Sequence, residues 1–442
     1  MGILKRITAL AICAAIMCTA VNTVFAENNN GGDTVNIKID GSKANTSENF
    51  LYRGQGMISC NGSSRLLLDY KEKNPESYSK ILEHLYGKNG LKFTHFKVEM
   101  GADVNTSSGT EPATMRYEDE KADVTRGAGF QLAADIKKIN PDVTLDMLWW
   151  SEPRWVTDAK DVYAARYKWY KQTLDAAYET YGLAFDYVSA NQNERTVDTD
   201  WIKYLSKALK SEKDCPYDYS EIKIVAADEC GTWGISRLMM KNKELCDAVD
   251  VIGSHYTSFA DDTTKKLAEE HGKELWFSEG SSPMTYAQSA YRFDEGNSGL
   301  TGLNGVLDIA NRMITMVSGG YMTLYEYQPA VAGYYDGVTY CHKQLINACT
   351  PWNGYYTLDS GYYMNLHFSQ FMDKGWSFIF DACYGDAKVG GDGHALVDAK
   401  YSYITACSAE GDYSTIITNT TSEPITYTLR CQILPRQEMR YM

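Results

Sequence analysis

Alternating strand and helix patterns run from about residue 50 to residue 327, and this alternation constrains the fold more than any other feature of the sequence. A long series of strand–helix units predicts a parallel sheet with helices packed outside it. We therefore expect the α/β fold class, with a (β/α)₈ TIM barrel as the architecture. A flavodoxin-like open sheet is the alternative, but the chain lacks the Gly-rich phosphate loop that such a sheet often carries.

Two of the predicted strands end in a carboxylate. Phe185–Arg195 (FDYVSANQNER) is apolar and aromatic until it reaches Asn193 and Glu194, and Lys273–Gly280 (KELWFSEG) reaches Glu279 in the same way. These would be strands 4 and 7 of the barrel, whose C-terminal rim carries catalytic side chains. One protonated and one ionised carboxyl on that rim are what hydrolysis of a glycosidic bond requires. The alternative is that each glutamate only begins a solvated loop, as most charged residues do.

The other predicted strands of the barrel lie at 50–60, 91–101, 143–151, 221–228, 249–256 and 321–327, with helices at 127–139, 161–181 and 303–317. Trp149 and Trp150 end the third strand, and one of them should face the mouth as a sugar platform unless both only pack. His255 ends the sixth strand. It would either donate to a catalytic carboxylate or serve as a structural hydrogen-bond partner.

The two ends of the chain differ from this pattern. Residues 1–26 are typical of a secretory signal peptide, with Lys5 and Arg6 before an apolar run and Ala26 at a small-x-small site. Residues 27–48 predict a leader and a strand that pairs with the far end of the chain. We expect the barrel at 49–340, a connection at 341–366, and a smaller β-sandwich domain at 367–442, which the final residues do not complete.

Charge and composition exclude several classes of partner. The chain has 43 Lys and Arg against 57 Asp and Glu, a formal charge of −14, and removal of the signal would leave 41 against 57, or −16. An anionic protein is a poor ligand for nucleic acid and for anionic lipid. No run after the signal is long and apolar enough for a transmembrane segment. The sequence does not predict an oligomeric state.

The motifs of cofactor and metal sites are missing. Nine of the 11 cysteines follow the predicted signal, and none forms a CxxC pair, which argues against a zinc site and against a complete disulfide framework. Walker A, GxGxxG, HExxH and GxSxG patterns are absent as well. We therefore expect no cofactor and no metal.

Eight sequence blocks, taken in order, carry a resemblance to a known family. They are SRLLLDY (64–70), FKVEMGADVNTSSGTEPATM (96–115), WWSEPRW (149–155), QNER (192–195), DVIGSHY (250–256), LWFSEG (275–280), TPWNGYY (350–356) and FSQFMDKGW (368–376). Together they make the chain similar to glycoside hydrolase family 59, the galactocerebrosidase family. The resemblance implies a retaining exo-β-galactosidase that acts on a galactosylceramide-like glycolipid or another β-galactoside.

The resemblance also implies roles for individual residues. Glu194 would be the general acid/base and Glu279 the nucleophile. Contacts to the galactose would come from Ser107, Trp150, Asn193 and Tyr340, with less secure matches at Gly54, Ser282 and Arg430. The family normally has Trp before its Asn–Glu pair, and this chain has Gln192 there, so we expect looser packing behind the acid/base.

Two other functions stay open. One is a related barrel hydrolase that acts on β-galactan oligosaccharides, and the other is a secreted galactose-binding protein without catalysis. Both carboxylates are present, which favours an enzyme over a binding protein. The signal sequence indicates that the protein is secreted or otherwise exported.

Overall fold

A computed structural model describes residues 33–59, 63–104, 111–257, 259–280, 306–333, 344–385, 387–389, 395–397 and 400–432. The predicted signal peptide and three of the predicted sugar-contacting residues, Ser107, Ser282 and Tyr340, lie outside these ranges. Among the helices that the structure describes, none combines the length and the hydrophobicity that crossing a bilayer requires.

The described chain starts with strand β1 (Thr34–Asp40), and eight parallel strands of one sheet follow. These are β2 (Gly54–Ile58), β3 (His95–Glu99), β4 (Thr144–Leu148), β5 (Tyr187–Ser189), β6 (Lys223–Cys230), β7 (Val251–His255), β8 (Glu274–Gly280) and β9 (Met322–Tyr327). Their order in the sheet is β4-β3-β2-β9-β8-β7-β6-β5. Each falls within or next to a predicted strand, so the α/β prediction is confirmed.

The two outer strands of this order, β4 and β5, are joined by a few backbone hydrogen bonds. The Asp186 amide donates to the Leu145 carbonyl at 3.0 Å, and the Asn193 amide donates to the Trp149 carbonyl at 3.1 Å. Trp149 and Gln192 also form an isolated parallel bridge. These contacts close the sheet into a barrel, as predicted.

Helices separate the strands along the chain. They are α1 (Ser63–Lys73), α2 (Pro75–Tyr86), α3 (Ala128–Ile139), α4 (Arg154–Thr157), α5 (Val162–Tyr181), α6 (Thr199–Ser211), α7 (Gly234–Met239), α8 (Lys243–Ala248), α9 (Asp262–His271), α10 (Val306–Gly320) and α11 (Ser360–Ser369). Helix α5 shows why the boundaries could be predicted. The Asp161 side chain caps the Ala164 amide at 3.1 Å, and Gly182 ends the helix with φ +70°.

A small sheet follows the barrel. It consists of β10 (Val331–Ala332), β11 (Ile346–Thr350) and β12 (Tyr355–Leu358). The segment 341–366, which we expected to be a connection, therefore contains two strands and the first part of α11. The sequence reasoning missed these elements because each is short and carries no clear alternation.

The C-terminal strands form the smaller β-layered part of the molecule. They are β13 (Ser377–Phe378), β14 (Ala387–Val389), β15 (Ala395–Val397), β16 (Tyr401–Cys407), β17 (Tyr413–Asn419) and β18 (Thr426–Gln432). Strand β1 pairs in parallel with β18, so its predicted pairing with the far end is confirmed. The inward face of β1, formed by Val35, Ile37 and Ile39, packs with Ile379 and Cys407 in a separate apolar cluster.

A buried ion pair ties the N-terminal ends of β2 and β8 together. Arg53, next to β2, donates from Nε to Glu274 Oε2 at 3.1 Å and from a terminal nitrogen to Oε1 at 2.7 Å. Glu274 is buried, and Lys223 Nζ also donates to its Oε1 at 3.2 Å. Such bidentate pairing offsets the cost of removing a carboxylate from water.

We expect Arg53→Met to lower the free energy of unfolding by about 3 kcal/mol, because Glu274 would stay buried without its bidentate partner. Urea denaturation measures this change. Lys80→Met is the matched control, since Lys80 forms a solvent-exposed helical pair with Glu76 and its loss should change the free energy of unfolding little. Equal losses in the two variants would contradict the anchoring role of Arg53.

Candidate active site

Glu194 is positioned by the ends of the two strands that flank β5. The chain leaves β5 after Ser189, and the Asn193 amide then donates to the Trp149 carbonyl just beyond β4, at 3.1 Å. The Glu194 amide donates to the Asp228 carbonyl in β6, also at 3.1 Å. Glu194 itself has φ +57°, a conformation that non-glycine residues adopt only when their surroundings impose it. The carboxyl group is therefore fixed at the C-terminal rim.

Gln192 supports this loop from behind. Its Nε2 donates to the Trp150 carbonyl at 2.6 Å, and its backbone pairs with Trp149. The expected loosening at this position is therefore offset, because the amide side chain adds a directional hydrogen bond between the loop and the end of β4.

Glu279 reaches the same rim from β8. Between the pairs Ser254–Phe277 and His255–Glu279 the strand carries one additional residue, Ser278, which forms a β-bulge and re-aims the residues that follow. The Glu279 side chain is 3% exposed. Tyr256 donates its hydroxyl to Oε1, and Asn193 donates from Nδ2 to Oε2 at 3.4 Å. Two donors thus fix the orientation of this buried carboxyl group.

His255 lies between the two glutamates. Its Nδ1 is 2.9 Å from Glu194 Oε1 and 3.6 Å from Glu279 Oε2. One nitrogen or oxygen from each of the three side chains lies within 4.8 Å of the others. The structure therefore brings the two predicted carboxylates together, with an imidazole in contact with both.

The charges of these groups are strongly coupled. Burial lowers the pKa of His255, but the negative charges of Glu279, Asp228 and Glu194 outweigh it and raise the pKa to about 10. Burial raises the pKa of Glu194, and the hydrogen bond and charge of His255 reverse this, leaving the pKa below its ordinary value. Burial raises the pKa of Glu279, and the negative charge of Glu194 adds to this increase. The charge of His255 and the hydrogen bonds from Tyr256 and Asn193 only partly oppose it. In the free site, His255 is therefore an imidazolium that pairs first with Glu194.

The same three side chains are the one group in the described chain whose geometry could hold a metal ion. A metal ligand must present a free lone pair. Here His255 Nδ1 faces Glu194 as a hydrogen-bond partner, and its elevated pKa keeps it protonated. In this arrangement the protonated Nδ1 serves Glu194 as a hydrogen-bond donor.

The other predicted sugar contacts differ in position. Trp150 follows β4 and is 8% exposed, in a small apolar cluster with Ile58 and Leu148. Trp149 is 4% exposed and packs in the main core, so neither tryptophan presents an open stacking face in the part of the mouth that the structure describes. Asn193 contacts Glu279 directly.

Gly54 lies away from the C-terminal rim, so the prediction of sugar contact at Gly54 is corrected, and the prediction at Arg430 stays a prediction. Gly54 begins β2, at the end of the barrel opposite the catalytic rim. It is glycine for a structural reason, because it has φ +101° and a Cβ would lie 2.3 Å from Thr94 Oγ1. Arg430 is an exposed residue of β18, where it pairs in register with Lys38 of β1.

Sequence reasoning missed four residues in or next to the group of Glu194, His255 and Glu279. They are Tyr256, Asp228, Cys230 and Lys97. Asp228 ends the predicted fifth strand as Glu194 and Glu279 end theirs, and this signal could have identified it. The Cys230 thiol interacts with Glu194 and contributes to its lowered pKa. Lys97 lies in a strand where polar and apolar residues alternate, HFKVE, and the sequence alone does not say which of the two faces points into the barrel.

Comparison with known proteins identifies the family. The profile of Glycosyl hydrolase family 59 matches residues 52–370. Human galactocerebrosidase is 33% identical over 355 residues, which cover 78% of this chain and 47% of the human protein. The chain belongs to glycosyl hydrolase family 59. A putative galactocerebrosidase of Caenorhabditis elegans is 29% identical over 233 residues, covering 52% of this chain and 34% of that protein.

The vertebrate galactocerebrosidases that the chain matches are longer proteins, and the chain spans about half their length. Solved structures confirm the fold independently. An endo-β1,6-glucanase superposes with a TM-score of 0.67 at 15% identity, covering 92% of each chain. The catalytic domain of GH30 xylanase C from Talaromyces cellulolyticus gives a TM-score of 0.58 at 14% identity, covering 85% of this chain and 87% of the xylanase.

We expect the charge of His255 to make folding stability depend on pH. Its pKa in the folded protein, about 10, lies above the ordinary 6.5, so its contribution is complete below pH 6.5 and is lost as the pH rises through about 10. Denaturation at a series of pH values should show this decline in the wild type and a flatter curve in His255→Gln. His271→Gln, at an exposed position in the last turn of α9, is the control and should keep the wild-type slope.

Proposed function

We propose that the protein is a retaining exo-β-galactosidase that hydrolyses the terminal galactosyl group of a glycolipid such as galactosylceramide or of another β-galactoside. The observation that carries the proposal is the convergence of Glu194 and Glu279 on His255. One side-chain oxygen or nitrogen atom from each of the three residues lies within 4.8 Å of the others. Retaining glycosidases hold their two carboxyls about 5–5.5 Å apart, whereas inverting enzymes need about 6.5–9.5 Å to admit a water. The short separation favours double displacement.

In this mechanism Glu279 attacks the anomeric carbon while Glu194 protonates the leaving oxygen. A galactosyl–enzyme ester forms on Glu279, and Glu194 then deprotonates the water that releases galactose. The positions of the residues support these roles. Glu279 is almost fully buried and accepts hydrogen bonds from two donors, so its carboxyl group is fixed as a nucleophile should be. The Glu194 side chain is 35% exposed and can reach first a leaving group and then a water.

The first step needs a proton distribution that differs from that of the free site. Without substrate, His255 favours the ionised form of Glu194, and burial favours the protonated form of Glu279. A sugar in the mouth would remove water from the half-exposed Glu194 and raise its pKa. The positive charge that develops at the anomeric carbon would stabilise ionised Glu279. His255 Nδ1 lies 2.9 Å from Glu194 and 3.6 Å from Glu279. A small movement of the imidazolium ring would therefore pair its positive charge with ionised Glu279 in place of Glu194.

Asn193 is proposed to bind the 2-hydroxyl of the galactose. It lies beside Glu279, at 3.4 Å, on the loop that also carries Glu194. Hydrogen bonds to this hydroxyl strengthen in the transition state of glycoside hydrolysis. Ser107, Ser282 and Tyr340 remain proposed galactose contacts that lie outside the described residues. Trp150, which follows β4, remains a proposed galactose contact as well.

Glu279→Gln should reduce kcat on an aryl β-galactoside by at least ~10³-fold, because the nucleophile is lost while the side-chain shape is kept. A fluorinated galactosyl inhibitor should label the wild-type protein at one peptide, which mass spectrometry should locate at Glu279. Retained turnover in Glu279→Gln, or a label on another carboxylate, would refute the nucleophile assignment.

Glu194→Gln should distinguish the acid/base from the nucleophile. An activated aryl leaving group needs no proton, so the variant should still release one burst of phenolate and then stall at the galactosyl–enzyme ester. Stopped-flow absorbance measures the burst.

A substrate series of galactosylceramide, β-galactan oligosaccharides and aryl galactoside separates the glycolipid hydrolase from the galactan hydrolase. Binding of galactose with no turnover of any of them would identify a binding protein.

A further inference from the structure

A cluster of charged side chains lies inside the barrel beneath the two glutamates. Lys97 of β3 is fully buried, and its Nζ is 3.6 Å from Asp146 Oδ2 in β4, 3.6 Å from Asp228 Oδ1 in β6 and 3.3 Å from Glu326 Oε2 in β9. Barrel interiors are usually filled with branched apolar side chains. Burying charge there is costly unless each charge is compensated, so this cluster needs a functional explanation.

Asp228 connects the cluster to the catalytic residues. The same oxygen, Oδ1, lies 3.6 Å from Lys97 Nζ and 3.6 Å from His255 Nε2. The other nitrogen of His255 faces Glu194 and Glu279. An unbroken series of charges of alternating sign therefore runs from the barrel interior to the rim.

The backbone is built to place Asp228 at this point. β6 pairs Ala227 with Gly253 and Glu229 with Ser254, so Asp228 is an additional residue in a β-bulge, with φ +53°. Space for its carboxyl group is provided by Gly253, since a Cβ there would lie 2.6 Å from Asp228 Oδ1. The left-handed backbone at Asp228 and the missing side chain at Gly253 together allow the Asp228 carboxyl group to occupy this position.

The groups around His255 define its charge. Glu194 approaches from the loop after β5, Asp228 from β6 and Glu279 from β8, and Tyr256 follows it in the chain. Lys97 forms an ion pair with Asp228 deeper in the barrel, and it also pairs with Asp146 and Glu326.

The carboxyl groups around Lys97 do not share its charge equally. Burial raises the pKa of Asp228, but Lys97 and His255 outweigh it and hold the pKa far below its ordinary value. Burial raises the pKa of Asp146 to about 6 and that of Glu326 well above its ordinary range. Asp228 is thus the firmly ionised partner of both cations.

We propose that Asp228, anchored by Lys97, is a positioning residue that keeps His255 cationic and directs its Nδ1 proton at the two catalytic carboxyls. The proposal rests on the glycosidase function proposed above. A fixed anion 3.6 Å from Nε2 stabilises the positive charge of the ring by electrostatic attraction. His255 can then neutralise Glu194 or Glu279 without losing its proton.

The test compares two buried aspartates that are equally distant from Lys97. Asp228 and Asp146 both lie 3.6 Å from its Nζ, but only Asp228 contacts His255. Asp228→Asn should lower kcat at least ~10-fold with little change in KM. It should also move the acidic limb of the pH profile upward by about one unit, because Glu279 would lose a neighbouring cation and ionise only at higher pH.

Asp146→Asn is the matched control. Its carboxylate accepts hydrogen bonds from Ser189 Oγ at 3.0 Å and from the Met147 amide at 2.7 Å, and neither donor belongs to the proposed catalytic residues. It should lower the unfolding midpoint and keep the shape of the pH profile. Equal shifts in both variants would assign the effect to any loss of buried charge and overturn the proposal. Asp228→Glu, which restores the charge, should recover part of kcat and return the acidic limb toward its wild-type position.

A measurement on the unaltered protein protects the test against misfolded variants. In ¹⁵N-histidine NMR, with the His255 signal identified by its loss in His255→Gln, the ring should remain an imidazolium between pH 5 and pH 8. A ring that becomes neutral in this range would overturn the proposal. The readout needs no turnover, so an active Glu279→Gln variant would refute the proposed function and leave the NMR result interpretable.

Discussion

The closure of the sheet between β4 and β5 is the constraint on which the site depends. β5 and β8 are separated by β7 and β6 in the sheet order. In a flat sheet, three strand spacings would place their ends about 14 Å apart. The backbone contacts of Asp186 and Asn193 with β4 force the sheet into a barrel, and the strand ends then face one axis. This curvature brings an oxygen of Glu194 and one of Glu279 within 4.8 Å.

Once the carboxyls are this close, electrostatics decide what the site can do. Two carboxylates at this distance repel each other strongly in a poorly hydrated pocket. The imidazolium of His255 contacts both and relieves the repulsion. Its own charge is stabilised from below by Asp228. The barrel interior therefore contributes to the charge balance around the two glutamates, in addition to supporting the rim mechanically.

The sequence predicted the barrel, its strands and the two converging glutamates, because these depend on local patterns. Apolar segments that end in Glu194 and Glu279 indicate strand ends, and a barrel places all such ends on one rim. Asn193, which the family resemblance suggested, lies on the Glu194 loop and donates to Glu279. These features needed no knowledge of distant contacts.

Other features could not be predicted because they depend on packing between strands. Gly54 suggested a ligand nearby, but the close neighbour is Thr94. The family resemblance suggested Arg430 as a sugar contact, but its position follows from the pairing of β18 with β1. Lys97 and Asp228 became meaningful only when the β-bulge next to Gly253 was known.

The parallel pairing of β1 with β18 has a consequence for how the molecule is made. Ribosomes deliver β1 first and β18 only after the whole barrel sequence. During that time Val35, Ile37 and Ile39 have no final apolar partners, since these come from the C-terminal strands. The nascent chain therefore exposes the apolar face of β1 and its unpaired backbone edge throughout barrel synthesis. Such a strand is a target for chaperones and for misassembly between chains.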